Sequence, residues 1–233
     1  QVQIGRPALD LPGEARQDLD LIVELADRMG LGWNYGHVSE VYTEMAQVMP
    51  SLKHISWERI EREESVIYPA DGPDVPGNEI VFTTGFPTTD GRGRIVPTYL
   101  LPPDEVPDEE YPLVLTTGRL LEHWHTGAMT RRAGVLNAIE PYGIAAMNPY
   151  EIKRRGLAQG DVIAVETRRG TVEAILRADR EGADGMVFMP FCFNESPANM
   201  LTNPMLDPYG KITEFKYCAA RIVPASEMAE AAV

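Results

Sequence analysis

Apolar residues recur along the chain with two different periods. In residues 14–29, Leu19, Ile22, Val23, Ala26 and Met29 fall three or four apart, which predicts a helix that Gly30 ends. A second helix is expected after Ser39, with Val41, Tyr42, Met45, Val48 and Met49 on its apolar stripe, Ser39 capping the first turn and Pro50 closing it. Residues 70–78, ADGPDVPGN, are rich in turn formers, and DGRGR at 90–94 reads as the tip of a hairpin between FTTGF and IVPTYLL. The acidic, proline-bearing stretch LPPDEVPDEEYP, 101–112, reads as a linker. Beyond it the texture changes to short apolar runs: PLVLTT, DVIAVET turning at Arg168, Arg169 and Gly170 into TVEAILR, then GMVFMPF, each short enough for a strand. One short helix interrupts them, with Asn148 as N-cap, Pro149 at the first helical position, Glu151 completing a capping box and Gly156 just past the end. The second half is therefore mainly β, and its closely spaced hairpins favour a small barrel over a doubly wound sheet.

Composition narrows the function classes. The chain has 233 residues, 44% of them hydrophobic, enough for one or two folded domains. No apolar run approaches the length of a membrane span, and QVQIGRPALD lacks the features of a signal peptide, so a soluble, cytoplasmic setting is the expectation. Asp and Glu total 35 against 21 Lys and Arg, a formal charge of -14 that argues against nucleic acid as a partner. Cys192 and Cys218 are too few for a disulfide framework, a four-thiolate zinc site or an iron–sulfur site.

Candidate chemistry concentrates in residues 115–132, LTTGRLLEHWHTGAMTRR, which hold two of the chain's four histidines. Three readings stand side by side. On a strand, His123 and His125 would share a face and could share a metal ion, although the rest of such a site is missing. One histidine could instead be a satisfied core residue. Alternatively LTTGR ends a strand in a glycine turn, after which His, Trp, Thr and freed backbone amides line a cleft for an anionic, aromatic ligand beside Arg119. Arg131 and Arg132 read as a solvated turn or a subunit contact.

The string TTGRLLEHWHTGAMTRR, with ANMLTNPMLDPYGKITEFKYCAARI far downstream, resembles the C-terminal domain of the molybdenum- and tungsten-containing oxidoreductases of DMSO reductase type, which use bis(molybdopterin guanine dinucleotide). Within them it looks most like the alpha subunit of formate dehydrogenase, and the resemblance runs over residues 14–223. It implies a mixed α/β chain: the helical tail of a large catalytic domain (1–70), a connecting hairpin and linker (71–110), a six-stranded double-psi β-barrel that binds the cofactor (111–226) and a tail (227–233). It implies that Thr117, Gly118, Arg119, His123, Trp124, His125, Thr126, Met129 and Thr130 approach the pterin and diphosphate. Asn199 and the pair Phe215 and Lys216 would meet the cofactor from the other side. Neither cysteine matches the context of the family's metal-ligating residue, so no catalytic or metal-ligating residue is expected in this chain. The resemblance further implies formate and carbon dioxide as substrates, the remainder of an alpha subunit as partner, and iron–sulfur and flavin (FMN) subunits that pass electrons to NAD. A nitrate reductase of the same family and a barrel used only for interaction are the rival readings.

Overall fold

The structure is a computed structural model and describes residues 1–224 and Glu227; the expected tail at 227–233 otherwise lies outside the described residues. The chain divides into two compact units, Gln1–Pro97 and Thr98–Val233.

The first unit holds helices α1 (Asp18–Arg28), α2 (Val38–Val48) and α3 (Trp57–Glu63), with a 3-10 turn at Pro50–Leu52. Strand β1 (Val2–Gln3) pairs antiparallel with β2 (Ser65–Val66). Gly30 ends α1 as expected: its φ is +74°, its N–H donates to Asp27 O, and the Leu31 N–H reaches back to Ala26 O. The cap of α2 differs from expectation. His37, not Ser39, is the N-cap, and its Nδ1 accepts the Ser39 N–H at 3.2 Å. Tyr42, Leu52, Ile55, Ile60, Val66 and Ala70 form a small core. The turn-rich stretch after it is tied down by Arg59, 4% exposed, which donates to the carbonyls of His54, Gly72 and Val75 at 2.8 to 3.0 Å. Gly77 is required there, because a Cβ would lie 1.7 Å from Ile67 O.

The expected hairpin around DGRGR does not form a strand ladder. Its tip is a turn in which the Phe86 N–H donates to Gly91 O at 3.0 Å, and Phe82 stacks on Phe86 with ring centroids 5.1 Å apart. Two isolated strands bury too little to hold a ladder, and Pro87 and Pro97 remove donors from it.

The second unit is a closed six-stranded barrel. Its strands are β3 (Leu113–Gly118), β4 (Ile144–Met147), β5 (Val162–Thr167), β6 (Gly170–Ala178), β7 (Met186–Pro190) and β8 (Cys218–Pro224), with helices α4 (Gly134–Ile139) and α5 (Pro149–Arg154) between them. Around the barrel the order is β3-β7-β4-β6-β5-β8. The β3/β7 and β4/β6 pairs are parallel and the other four antiparallel. Alternate residues point inward: Leu113 and Leu115 flank the less buried Val114, and Val187 and Met189 flank the less buried Phe188, while in β5 Ile163, Ala164 and Val165 are all buried. Small residues such as Ala145, Ala174 and Ala220 sit among them, the mixture a narrow barrel needs to fill its interior. Asn148 caps α5 by accepting the Tyr150 N–H, but Glu151 does not close the expected capping box; it is buried and paired with Arg154 and Arg155.

The acidic stretch read as a linker is in fact a strap on the barrel. Glu105 accepts from Arg168 at 2.7 Å and Arg169 at 2.6 Å, Asp108 pairs with Arg168, and the Arg168 guanidinium lies 4.6 Å from the centre of the Tyr111 ring.

Strand directions decide where the loops meet. In the parallel pair Gly118 lies opposite Pro190, so β3 and β7 end together. Leu115 faces Cys218 in an antiparallel pair, which brings the segment preceding β8 alongside the end of β3. The entrance to β4 lies beside the exit of β7 for the same reason. Residues 119–143 and 191–217 therefore emerge at one end.

Candidate functional site

At that end β3 is clasped by the turn before β8. The Thr117 hydroxyl donates to Phe215 O at 2.7 Å, and the Lys216 ammonium donates to Thr117 O at 2.7 Å while lying 5.5 Å from the Phe215 ring centre. Phe215 and Lys216 occupy a turn just before β8, which begins at Cys218. An ammonium carries three N–H donors, so Lys216 keeps spare capacity after meeting this carbonyl. Gly118 leaves no room for a side chain: a Cβ would lie 2.5 Å from Cε2 of Phe188.

The histidine segment that follows is irregular, not a strand, which removes the geometry of the shared-metal reading. His123 turns inward and is 1% exposed, with Nε2 2.7 Å from Glu140 O, Nδ1 3.4 Å from Thr130 Oγ1, and its ring edge-on to Phe193. His125 turns outward at φ +51°, its ring edge-on to Phe191 at 5.3 Å. Trp124 is exposed, carries the Arg119 guanidinium 5.2 Å from its ring centre, and donates its backbone N–H to Thr130 Oγ1 at 2.9 Å. Thr126 and Met129 are exposed on the same loop. Gly127, at φ +74°, passes so close to the β7 exit that a Cβ would sit 2.8 Å from Cys192 O. No group of three or more His, Cys, Asp or Glu positioned to hold a metal ion occurs among the described residues.

Between this loop and the β7 exit lies a cleft of about 380 Å³ bounded by Thr126, Gly127, Arg131, Arg132, Cys192, Asn194 and Glu195. Arg131 is more than a solvated turn residue. It donates to Asn137 at 2.7 Å, makes a two-pronged pair with Glu195 at 3.0 and 3.1 Å, and lies 4.6 Å from the Phe193 ring centre. Its own backbone amide and then Arg131 hold the Glu195 carboxyl below the usual carboxylate range. Burial pushes the Cys192 and Cys218 thiols up, which disfavours the thiolate a soft metal would need.

Asn199, expected to meet the cofactor from the other side, lies outside the clasp. Asn199 is exposed in the 3-10 turn Ala198–Met200, which packs on the start of β6, with Met200 O 3.4 Å from a Cβ built on Gly170. Asn203, which the sequence reading passed over, is wired to the clasp instead. It is 3% exposed and donates from Nδ2 to Glu214 at 2.8 Å and to Tyr217 O at 3.2 Å, either side of Phe215 and Lys216. The Asn-Pro pair at 203–204, a turn signal inside the downstream motif, was the clue.

Cations with N–H donors to spare, an exposed indole and a close-packed glycine turn at one barrel mouth form a donor set suited to a large anionic heterocycle. Residues 113–219 match the family model for the molydopterin dinucleotide binding domain. Within residues 113–219 the chain thus carries that domain. It is 38% identical over 226 residues to the F420-dependent formate dehydrogenase subunit alpha of Methanocaldococcus jannaschii, covering 95% of this chain and 33% of the relative. A formate dehydrogenase 1 subunit alpha of Methanococcus maripaludis, also F420-dependent, is 37% identical over 224 residues, with the same coverages. The periplasmic nitrate reductase of Desulfovibrio desulfuricans is more distant, 30% identical over 237 residues, covering 92% of this chain and 31% of the enzyme. Among solved structures, acetylene hydratase from Pelobacter acetylenicus shares the fold with a TM-score of 0.67 at 22% identity, over 96% of this chain and 35% of that one. The chain spans about a third of the length of the curated relatives it matches. The expected link to NAD finds no support, since the formate dehydrogenase relatives are named for F420.

Proposed function

We propose that this chain is the cofactor-binding portion of a formate dehydrogenase alpha subunit, and that it grips bis(molybdopterin guanine dinucleotide) at the loop-bearing mouth of the barrel. The observation that carries the reading is the clasp at the end of β3, where Lys216 keeps spare N–H donors beside Thr117 and Phe215. In a chain of formal charge -14, a lysine and Arg119 with donors to spare at one mouth support reading it as an anion site. Lys216 and Arg119 hold the diphosphate, Trp124 offers a π face to a heterocycle, and Gly118 lets the backbone run close to the ligand. His125, Thr126 and Met129 line the near wall, and Asn199 presents a free amide from the far side. When bound, the group supplies the two-electron exchange in which formate becomes carbon dioxide, a proton and two electrons. The protein's share is binding and electrostatic preorganisation.

Further polypeptide of the alpha subunit completes the catalytic body, and iron–sulfur subunits carry the electrons away. The acceptor is assigned to F420 rather than a nicotinamide, on the strength of the relatives' names. Two free cysteines and the absence of any helix long and apolar enough to cross a membrane, among the described residues, support a cytoplasmic complex. The test is purification of the native complex, with analysis for guanine dinucleotide, molybdenum and tungsten and assays of formate oxidation with F420 and with NAD, and of nitrate reduction. Pterin together with formate-dependent F420 reduction is the expected result. Nitrate reduction without formate oxidation would transfer the chain to its more distant relatives, and a complex free of pterin and metal would leave only an interaction barrel.

A further inference from the structure

The face that presents Arg119 and Trp124 is held from inside the unit by a continuous series of contacts. It begins on the barrel wall, where Arg177 of β6 makes a two-pronged pair with the Glu140 carboxylate at 2.9 and 2.7 Å. Glu140 closes α4, and its backbone carbonyl faces His123 Nε2 at 2.7 Å. A carbonyl oxygen only accepts, so Nε2 carries the imidazole proton and Nδ1 is left to accept from the Thr130 hydroxyl, 3.4 Å away. The Thr130 oxygen in turn accepts the Trp124 backbone N–H at 2.9 Å. Arg177, Glu140, His123, Thr130 and Trp124 thus hand one alignment from the wall to the mouth. Both nitrogens of the His123 ring are engaged and the ring is 1% exposed, so this histidine offers no polar atom to a ligand.

We propose that Glu140 and Arg177 are positioning residues for cofactor binding: they fix the carbonyl against which His123, acting as an internal strut, sets the loop bearing Arg119 and Trp124. The proposal rests on the reading that this mouth takes the pterin dinucleotide. Neither residue is among those proposed to face the cofactor, and in this proposal the effect of changing them travels through the strut. Around metal sites, outer partners that orient the ligands typically change affinity by about 10- to 100-fold, and the lower end of that scale is taken for this strut, which sets a loop rather than a metal ligand.

The experiment uses the native complex carrying R177M, R177K or E140Q. Two quantities are read for each: pterin dinucleotide retained per protomer after a chase with buffer, and hydrogen exchange in residues 119–133 against residues of β5 and β7. R177M is expected to lower retention on the order of tenfold and to speed exchange in 119–133 while β5 and β7 keep their protection. R177K, which preserves a charge opposite Glu140, is expected to recover much of the retention. E140Q keeps the backbone carbonyl and one side-chain hydrogen bond to Arg177, and so is expected to fall between wild type and R177M. Full retention with unchanged exchange in R177M overturns the proposal, as does exchange that rises in β5 and β7 as much as in the loop. If the wild-type complex holds no pterin, the parent reading fails, yet the exchange data still decide whether the strut sets the loop.

Discussion

The two units stabilise themselves by different means. The barrel closes a circuit of six strands around an interior of alternating large and small apolar residues. The N-terminal unit has a core of only six buried residues and leans on single polar anchors, Arg59 and Tyr42, to hold its turns. Its helix α1 also leaves Leu21, Ile22, Leu25 and Met29 exposed along one side. A closed sheet spreads its stability over many equivalent contacts, whereas a small core with a few anchors concentrates it.

The sharpest way to break this contrast is at paired leucines. Leu115→Ala, in a fully buried barrel position, is expected to cost about 3 kcal/mol in denaturant unfolding. Leu25→Ala, on the exposed side of α1, should stay within about 0.5 kcal/mol. Comparable losses at both sites would erase the distinction. Next in size is Arg59→Met, which strips the donor from three carbonyls and should cost about 2 kcal/mol while hydrogen exchange quickens at residues 70–78 and not in β3. Tyr42→Phe removes one buried hydrogen bond, to Ile55 O at 2.6 Å, and a loss of about 1 kcal/mol in the same assay is expected.

The smallest effect separates two kinds of carboxylate. Asp207, in the barrel unit, is held below the ordinary aspartate range first by the amides of Ile212 and Gly210; Glu24, on α1, is lowered first by hydrogen bonds from Arg16 and Arg28. Both folded values lie below the unfolded ones, so each contribution is present above the unfolded pKa and lost as pH falls through the folded one. Side-chain NMR titration at low and high salt should raise the Glu24 value toward normal and leave Asp207 nearly in place, because mobile ions screen exposed guanidinium charges more than fixed amide dipoles. Equal shifts would mean the two sites share one electrostatic origin.

Legibility in the sequence follows the same division. Strands β3, β5, β6 and β7 show as apolar runs between turn residues, and α5 carries Asn148, Pro149 and Gly156 in their usual places. Strand β4 escaped notice because IAAM is only four residues of small and flexible side chains, and α3 because its one strong signal, Ser56 capping, lies in a stretch dense with charge. The hairpin at DGRGR had the local chemistry of a turn but no sheet to lie upon. In the site, the Thr117 and Lys216 ends of the clasp stood in recognisable motifs, 99 residues apart. The inward turn of His123 did not show, since a histidine bound to a backbone carbonyl leaves no pattern in side-chain spacing. Glu140, Arg177 and Asn203 were hidden for a related reason: their work is to hold other residues, and only the folded chain reveals which.

Strand β8 is the keystone of the sheet, pairing with both β3 and β5, and among the described residues it is the last of the six barrel strands in chain order. During vectorial synthesis the other five strands leave the ribosome with two open edges facing each other, a shape prone to pairing with neighbouring chains. Phe215 and Lys216 arrive only just ahead of it. A message truncated before residue 214 would therefore yield an open curl of sheet without the lysine, and quality control need only sense unsealed edges to discard polypeptides that lack half of the clasp.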